Sequence, residues 1–135
     1  MAEIKHRSVR TNGITMHLAE QGEGPLVVRC HGFPEFWYSW RHQLPALAAA
    51  GFHRRPRPAW LRPHQPIEAY DIFQLTWDIV GLVQALGEEQ AVIVGHDWGA
   101  PLAWFCGLLR PDVFRAIGLL SVPYTGRATT CGPRT

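Results

Sequence analysis

The chain has 135 residues, of which 47% are hydrophobic and 18% charged, a composition that indicates one folded domain over 1–135 and excludes a disordered polypeptide. Its formal net charge of +2 is too small to indicate nucleic-acid binding, and no apolar run is long enough to span a bilayer. The charged N-terminus lacks a secretory signal, and three cysteines without C-x-x-C spacing favour reduced thiols, so we expect a cytoplasmic protein.

The first third of the chain predicts a hairpin, a buried strand and a helix. Residues 7–22, RSVRTNGITMHLAEQG, contain two short strands joined by Asn12-Gly13, a dipeptide whose positive φ suits a tight turn. GPLVVRCHG follows as a mostly apolar strand, typical of a buried parallel sheet. SWRHQLPALAAAG predicts a helix that stops at Gly51, with a kink or late start at Pro45.

The second half alternates helices with strands. LTWDIVGLVQALG places its apolar residues on one helical face and ends at Gly87. QAVIVGHDWGAPLAWFCGLLRPD predicts a strand, a tight turn and a helix, and FRAIGLLSVPY predicts another buried strand. This alternation indicates an α/β fold, a mostly parallel sheet with helices on both faces.

The sharpest motif is Gly95-His96-Asp97-Trp98-Gly99, which lies between a predicted strand and a predicted helix. Glycines at both ends allow a turn tight enough to hold the central side chain above the sheet. Asp97 is then the candidate nucleophile, because a carboxylate is ionised at neutral pH and attacks carbon without a base. The alternative is a glycine-rich turn in which Asp97 only caps the helix.

A second motif, HGFPE, begins at His31 directly after the earlier predicted strand. In a hydrolase of this architecture that position supplies one backbone donor of the oxyanion hole. We therefore expect the backbone N–H groups of Phe33 and Trp98 to stabilise developing negative charge. Two motifs at the ends of two strands favour the catalytic interpretation over the capping one.

The segments HGFPEFWYSWRHQLPALAAAGF, EAYDIFQLT, QAVIVGHDWGAPLAW, LLRPDVFRAI and SVPY together resemble the epoxide hydrolase family of α/β-hydrolases. The resemblance implies that the residue matching Asp97 opens an epoxide to an enzyme-bound ester, with two lid tyrosines protonating the epoxide oxygen. A histidine paired with an acid then activates the water that hydrolyses the ester to a diol. The implied partner is a small hydrophobic epoxide, with no cofactor, no metal, no nucleic acid and no membrane.

The resemblance also suggests which side chains line the substrate pocket. His31, Pro34, Trp37 and His96 are the candidates, and Trp98 adds an aromatic ring beside the nucleophile. Ordinary core packing is an equal alternative for Trp37. His96 is expected to be a pocket neighbour rather than the base. A dehalogenase, which uses the same aspartate to displace halide, is the nearest rival activity.

The sequence departs from the family in two places. The family's lid, base histidine and acidic partner lie beyond the segment matching Val122, and no histidine follows His96, so we expect an N-terminal fragment that is inactive or limited to a single turnover. Residues 53–66, HRRPRPAWLRPHQP, stand where relatives carry a strand and loop like VAPDLRGYGRTS, and reading the codons one nucleotide later permits that segment. A local frameshift is our interpretation, and a genuine basic loop that binds an acidic partner is the non-enzymatic alternative.

Overall fold

The computed structural model describes residues 3–51 and 71–122. It begins with an antiparallel hairpin of β1 (Lys5–Thr11) and β2 (Ile14–Glu20), in which Thr11 lies opposite Ile14. Asn12 and Gly13 form the turn with φ values of 46° and 78°. A two-residue turn with positive φ at both positions matches the twist of the strands that it joins. The predicted hairpin is confirmed.

The other three described strands form a parallel sheet in the order β3-β4-β5. They are β3 (Val27–Cys30), β4 (Ala91–His96) and β5 (Phe114–Leu120). Between them run a 3₁₀ turn (Trp37–Trp40) and the helices α1 (Gln43–Ala49), α2 (Ile72–Ala85) and α3 (Gly99–Leu109). Gly51 and Gly87 follow α1 and α2 with positive φ, as predicted for residues that end a helix.

The hydrophobic core lies between one face of this sheet, the hairpin and the helices α2 and α3. α3 packs on β4 and β5, and α2 packs on α3 and β1. Along β4 the buried residues alternate, so Ala91 and Ile93 face the core while Val92 and Val94 face the other side. The main members of the core cluster are Leu18, Leu26, Val28, Ile79, Leu82, Val83, Ile93, Leu102, Ala103 and Cys106.

The opposite face of the sheet is covered near its carboxyl edge by the start of α1. His96 lies opposite Leu120 in the β4–β5 register, and both line one cavity with Trp40 and Gln43. Helical segments therefore lie on both faces of the parallel sheet, as the alternation of strands and helices predicts. Among the described residues, no helix combines the length and apolarity that crossing a membrane requires.

The hairpin turn is joined to α2 by polar contacts. The Asn12 side-chain amide donates to the Trp77 carbonyl at 2.8 Å and lies 3.4 Å from a carboxylate oxygen of buried Asp78. Burial raises the pKa of Asp78, and the amides of Gln74 and Asn12 partly oppose that shift. A Cβ at Gly81 would overlap Thr11, so the glycine allows the hairpin to lie directly on the helix.

Arg29 lies in β3, a strand in which all four residues are buried. Only 4% of the residue is exposed, and its Nε and Nη1 atoms have no hydrogen-bond partner among the described residues. Burial lowers its pKa to about 10. The proposed frameshift segment, residues 53–66, lies outside the described residues.

Candidate active site

The turn between β4 and α3 holds Asp97 in a conformation that few residues other than glycine adopt. β4 ends at His96, Asp97 has a φ of 53°, and α3 begins at Gly99. A Cβ at Gly95 would overlap the Gly99 backbone, and a Cβ at Gly99 would overlap the Cys30 carbonyl. Both glycines are therefore needed for the turn to close against β3.

The Asp97 carboxylate faces the loop that follows β3. The Phe33 N–H donates to Asp97 Oδ2 at 3.2 Å, a contact between residues 64 positions apart. The backbone N–H of Trp98, with a smaller contribution from that of Phe33, holds the pKa of Asp97 below its usual value. Two backbone donors thus converge on one carboxylate, which stays ionised in a half-buried position.

Gly32 permits this approach of the loop to the carboxylate. A Cβ at Gly32 would lie 2.8 Å from the carboxyl carbon of Asp97 and would overlap its carboxylate oxygen. The loop then turns back through the Glu35 N–H, which donates to the Gly32 carbonyl at 3.1 Å. The short path from Gly32 to Glu35 is what aims the Phe33 N–H at the carboxylate.

Glu35 connects the two halves of the site. Its Oε2 atom accepts from the Gly32 N–H at 3.3 Å and lies 3.3 Å from His96 Nδ1. The pair is partly exposed, with about one third of each side chain accessible. The motif HGFPE contains Glu35 but does not by itself predict a role for it, since its contact with His96 spans 61 residues. The feature that could have indicated this role is the presence of a carboxylate at the end of the motif that also contains the predicted oxyanion donor Phe33.

The predicted pocket residues occupy different surroundings. His31 is buried and its Nδ1 lies 2.8 Å from the Gly32 carbonyl oxygen, so this nitrogen donates its proton there. Pro34 is exposed, and Trp37 packs edge-on against His6 and Tyr38. These contacts place Trp37 beside the hairpin.

A cavity of about 210 Å³ opens beside the turn. Among the predicted pocket residues it includes His96, and the described residues that line it are Glu35, Ser39, Trp40, Gln43, His96 and Leu120. Phe33 and Trp98, whose backbone N–H groups face the carboxylate, are 77% and 65% exposed and present apolar surface to solvent. Within residues 3–51 and 71–122, no cluster of three or more His, Cys, Asp or Glu side chains could hold a metal ion.

The parallel sheet, the strained strand-to-helix turn and the facing loop define an α/β-hydrolase architecture. The sequence profile described as "alpha/beta hydrolase fold" matches residues 25–129, and the chain belongs to that family.

Two similar proteins of this family are named epoxide hydrolases. The chain is 50% identical to epoxide hydrolase A of Mycobacterium tuberculosis over 135 residues, which is 95% of this chain and 42% of the relative. It is 46% identical to an epoxide hydrolase of Caballeronia sordidicola, over 92% of this chain and 39% of that protein. The chain therefore spans about 40% of the length of these relatives.

Two similar solved structures are also those of epoxide hydrolases. An epoxide hydrolase from an endophytic Streptomyces matches with a TM-score of 0.81 and 55% identity, over 90% of this chain and 38% of that one. Epoxide hydrolase VrEH1 from Vigna radiata matches with a TM-score of 0.84 and 47% identity, over 97% of this chain and 44% of that one. The resemblance inferred from the sequence motifs is thus confirmed at the level of family and fold.

Proposed function

We propose that this chain is part of an epoxide hydrolase in which the Asp97 carboxylate attacks a ring carbon of a small hydrophobic epoxide. The observation that carries the proposal is the position of that carboxylate, on a turn of positive φ and within reach of two backbone N–H groups. The lowered pKa of Asp97 supports it, because the nucleophile has to be ionised. The identities of 50% and 55% with proteins named epoxide hydrolases also support it.

In the proposed first step, an Asp97 carboxylate oxygen forms a bond to the epoxide carbon and the C–O bond of the ring breaks. The ring oxygen becomes an alkoxide that takes a proton, and the family resemblance assigns its donation to two tyrosines of a lid. The product is an ester between Asp97 and the opened substrate. The exposed rings of Phe33 and Trp98 provide apolar surface for the rest of the substrate.

In the proposed second step, water attacks the carbonyl carbon of the ester. Negative charge then develops on the carbonyl oxygen, which is an oxygen of Asp97 itself. The N–H groups of Phe33 and Trp98 already point at this carboxylate, so they are in position to stabilise the oxyanion without rearrangement. Collapse of the intermediate releases the diol and restores the carboxylate.

The described histidines near the site are poor candidates for activating this water. His31 Nδ1 is directed to the Gly32 carbonyl, and His96 Nδ1 faces Glu35. We therefore propose that the 135-residue polypeptide alone forms the ester and hydrolyses it slowly, and that the activity of the whole protein needs a base outside the described residues. No metal and no organic cofactor enter this proposal.

Incubating the chain with styrene oxide and measuring its intact mass tests the proposal. We expect a mass increase of one substrate molecule, with peptide mapping that locates the ester at Asp97. Asp97→Asn should abolish the adduct, whereas Glu89→Gln, which removes an exposed carboxylate elsewhere, should leave it unchanged. An unmodified folded protein, or an equal adduct in Asp97→Asn, would refute the role of Asp97.

A further inference from the structure

Two histidines of the hairpin lie on the same face and reach toward each other. In the β1–β2 register His6 is opposite Ala19 and His17 is opposite Ser8. The two histidines are thus diagonal neighbours, a spacing that large side chains bridge across an antiparallel pair. Strand alternation puts them on the face away from Leu18, which belongs to the core.

The imidazole nitrogens face each other at a distance suited to chelation. His6 Nδ1 lies 3.3 Å from His17 Nε2, while the ring centroids are 5.2 Å apart and the ring planes differ by 11°. Because the centroids are much farther apart than the nitrogens, the two nitrogens lie on the facing edges of the rings. Two imidazoles on one tetrahedral ion, with bonds of about 2.05 Å, place their nitrogens about 3.3 Å apart.

We infer that His6 and His17 form a two-imidazole site for a divalent transition-metal ion such as Zn²⁺, with water completing the coordination. Imidazole suits zinc and copper, and carboxylate-preferring ions such as Mg²⁺ would not bind. Among the described residues, no third His, Cys, Asp or Glu side chain joins the pair. The site lies apart from the Asp97 turn and takes no part in the proposed reaction.

The surroundings favour such a site. The ring of His6 packs edge-on against Trp37, with centroids 4.8 Å apart, and this contact restrains the orientation of an otherwise exposed side chain. One neighbouring cation, Arg7, lies on the other face of the hairpin, where it pairs with Glu20 at 3.2 Å. Restrained ligands lose less conformational entropy when the ion binds, which favours binding, whereas the exposed Arg10 on the same face as the two histidines disfavours it.

The alternative is that the pair only shares one proton in a hydrogen bond between the two rings. Such a bond needs one nitrogen to carry a proton and the other to present a lone pair. Metal binding needs lone pairs on both facing nitrogens, which the two neutral rings can offer by a change of tautomer. The two arrangements therefore predict the same geometry without metal and differ in what happens when Zn²⁺ is added.

Titration of the chain with ZnCl₂ at neutral pH, followed by calorimetry, distinguishes them. We expect one saturable site, weakened about tenfold or more in both His6→Phe and His17→Phe, because even the loss of a group that supports a ligand weakens metal sites by that factor. Phenylalanine keeps an aromatic ring at each position, and melting curves of the variants confirm that they fold. His42→Ala removes an exposed histidine that makes no side-chain capping bond, and it should bind Zn²⁺ as the unaltered chain does.

Two results would overturn the inference. The first is the absence of saturable Zn²⁺ binding by the folded, unaltered chain. The second is an unchanged isotherm in a folded His6→Phe or His17→Phe variant, which would place any bound ion on other histidines. As a further expected result, Cu²⁺ should quench tryptophan fluorescence less in His6→Phe, because Trp37 packs directly against His6.

Discussion

Replacing Arg29 is the most demanding test of how β3 is buried, because the loss of its buried charge should stabilise the protein. The residue is 4% exposed, and two of its guanidinium nitrogens lack hydrogen-bond partners among the described residues. A buried charge without partners destabilises the folded state, whereas an apolar side chain of similar length does not. Methionine is unbranched and flexible, so Arg29→Met is the replacement of choice.

The magnitude follows from the pKa. Burial lowers the pKa of Arg29 to about 10, well below the ordinary value of an arginine, and at about 1.4 kcal/mol per pKa unit the charged form loses about 3 kcal/mol on folding. We expect Arg29→Met to raise the free energy of unfolding by up to this amount, which corresponds to about 10 °C in Tm for a domain of this size. Against a typical total stability of about 5–15 kcal/mol, this is a large change.

The pH dependence has a definite sign. Folding depresses the pKa of this basic group, so the penalty is fully present below the folded pKa of about 10 and is relieved as the pH rises above it. The difference in stability between Arg29→Met and the unaltered chain should therefore be constant at pH 6–9 and should narrow only above about pH 10. Urea denaturation followed by circular dichroism measures both quantities.

A matched control separates burial from the general effect of removing an arginine. Arg115 is an exposed arginine on β5 of the same sheet, and Arg115→Met should change stability by less than about 0.5 kcal/mol. If Arg29→Met is no more stable than the unaltered chain, or if the two substitutions have equal effects, the burial of Arg29 with two unpaired nitrogens does not destabilise the fold.

Three further predictions concern the candidate site and the core. Gly32→Ala should abolish the Asp97 adduct in the mass assay, since the added Cβ overlaps the carboxylate; full labelling of a folded variant would contradict the geometry. Glu35→Ala should slow adduct formation by about tenfold or more through displacement of the loop, whereas Glu35→Gln keeps an acceptor for the Gly32 N–H and should react nearly normally; equal rates would refute this positioning role. Burial raises the pKa of the Cys106 thiol to about 12, so iodoacetamide at pH 8 should modify it only after unfolding in urea, which peptide mapping detects; rapid labelling of the native protein would contradict its burial.

Local sequence signals predicted the described strands and α-helices, but not the 3₁₀ turn (Trp37–Trp40) or the exposure of most of β5. Asn12-Gly13 specified the hairpin turn because few dipeptides adopt positive φ at both positions. Glycines 51 and 87 marked helix ends for the same steric reason, and the spacing of apolar residues distinguished α2 from the strands around it. The turn at Asp97 was also predictable, since its flanking glycines permit a close approach of strand and helix.

What the sequence by itself determined is therefore the described strands and α-helices, their order and the identity of the residue at the Asp97 turn. Only the tertiary structure decided which distant groups meet there: the Phe33 N–H at the carboxylate, Glu35 against His96, and His6 beside His17. Only the tertiary structure showed that Arg29 is buried without partners for two of its nitrogens. Propensities and turn preferences act over a few neighbouring residues, whereas these contacts depend on strand register and on the packing of segments up to 64 positions apart.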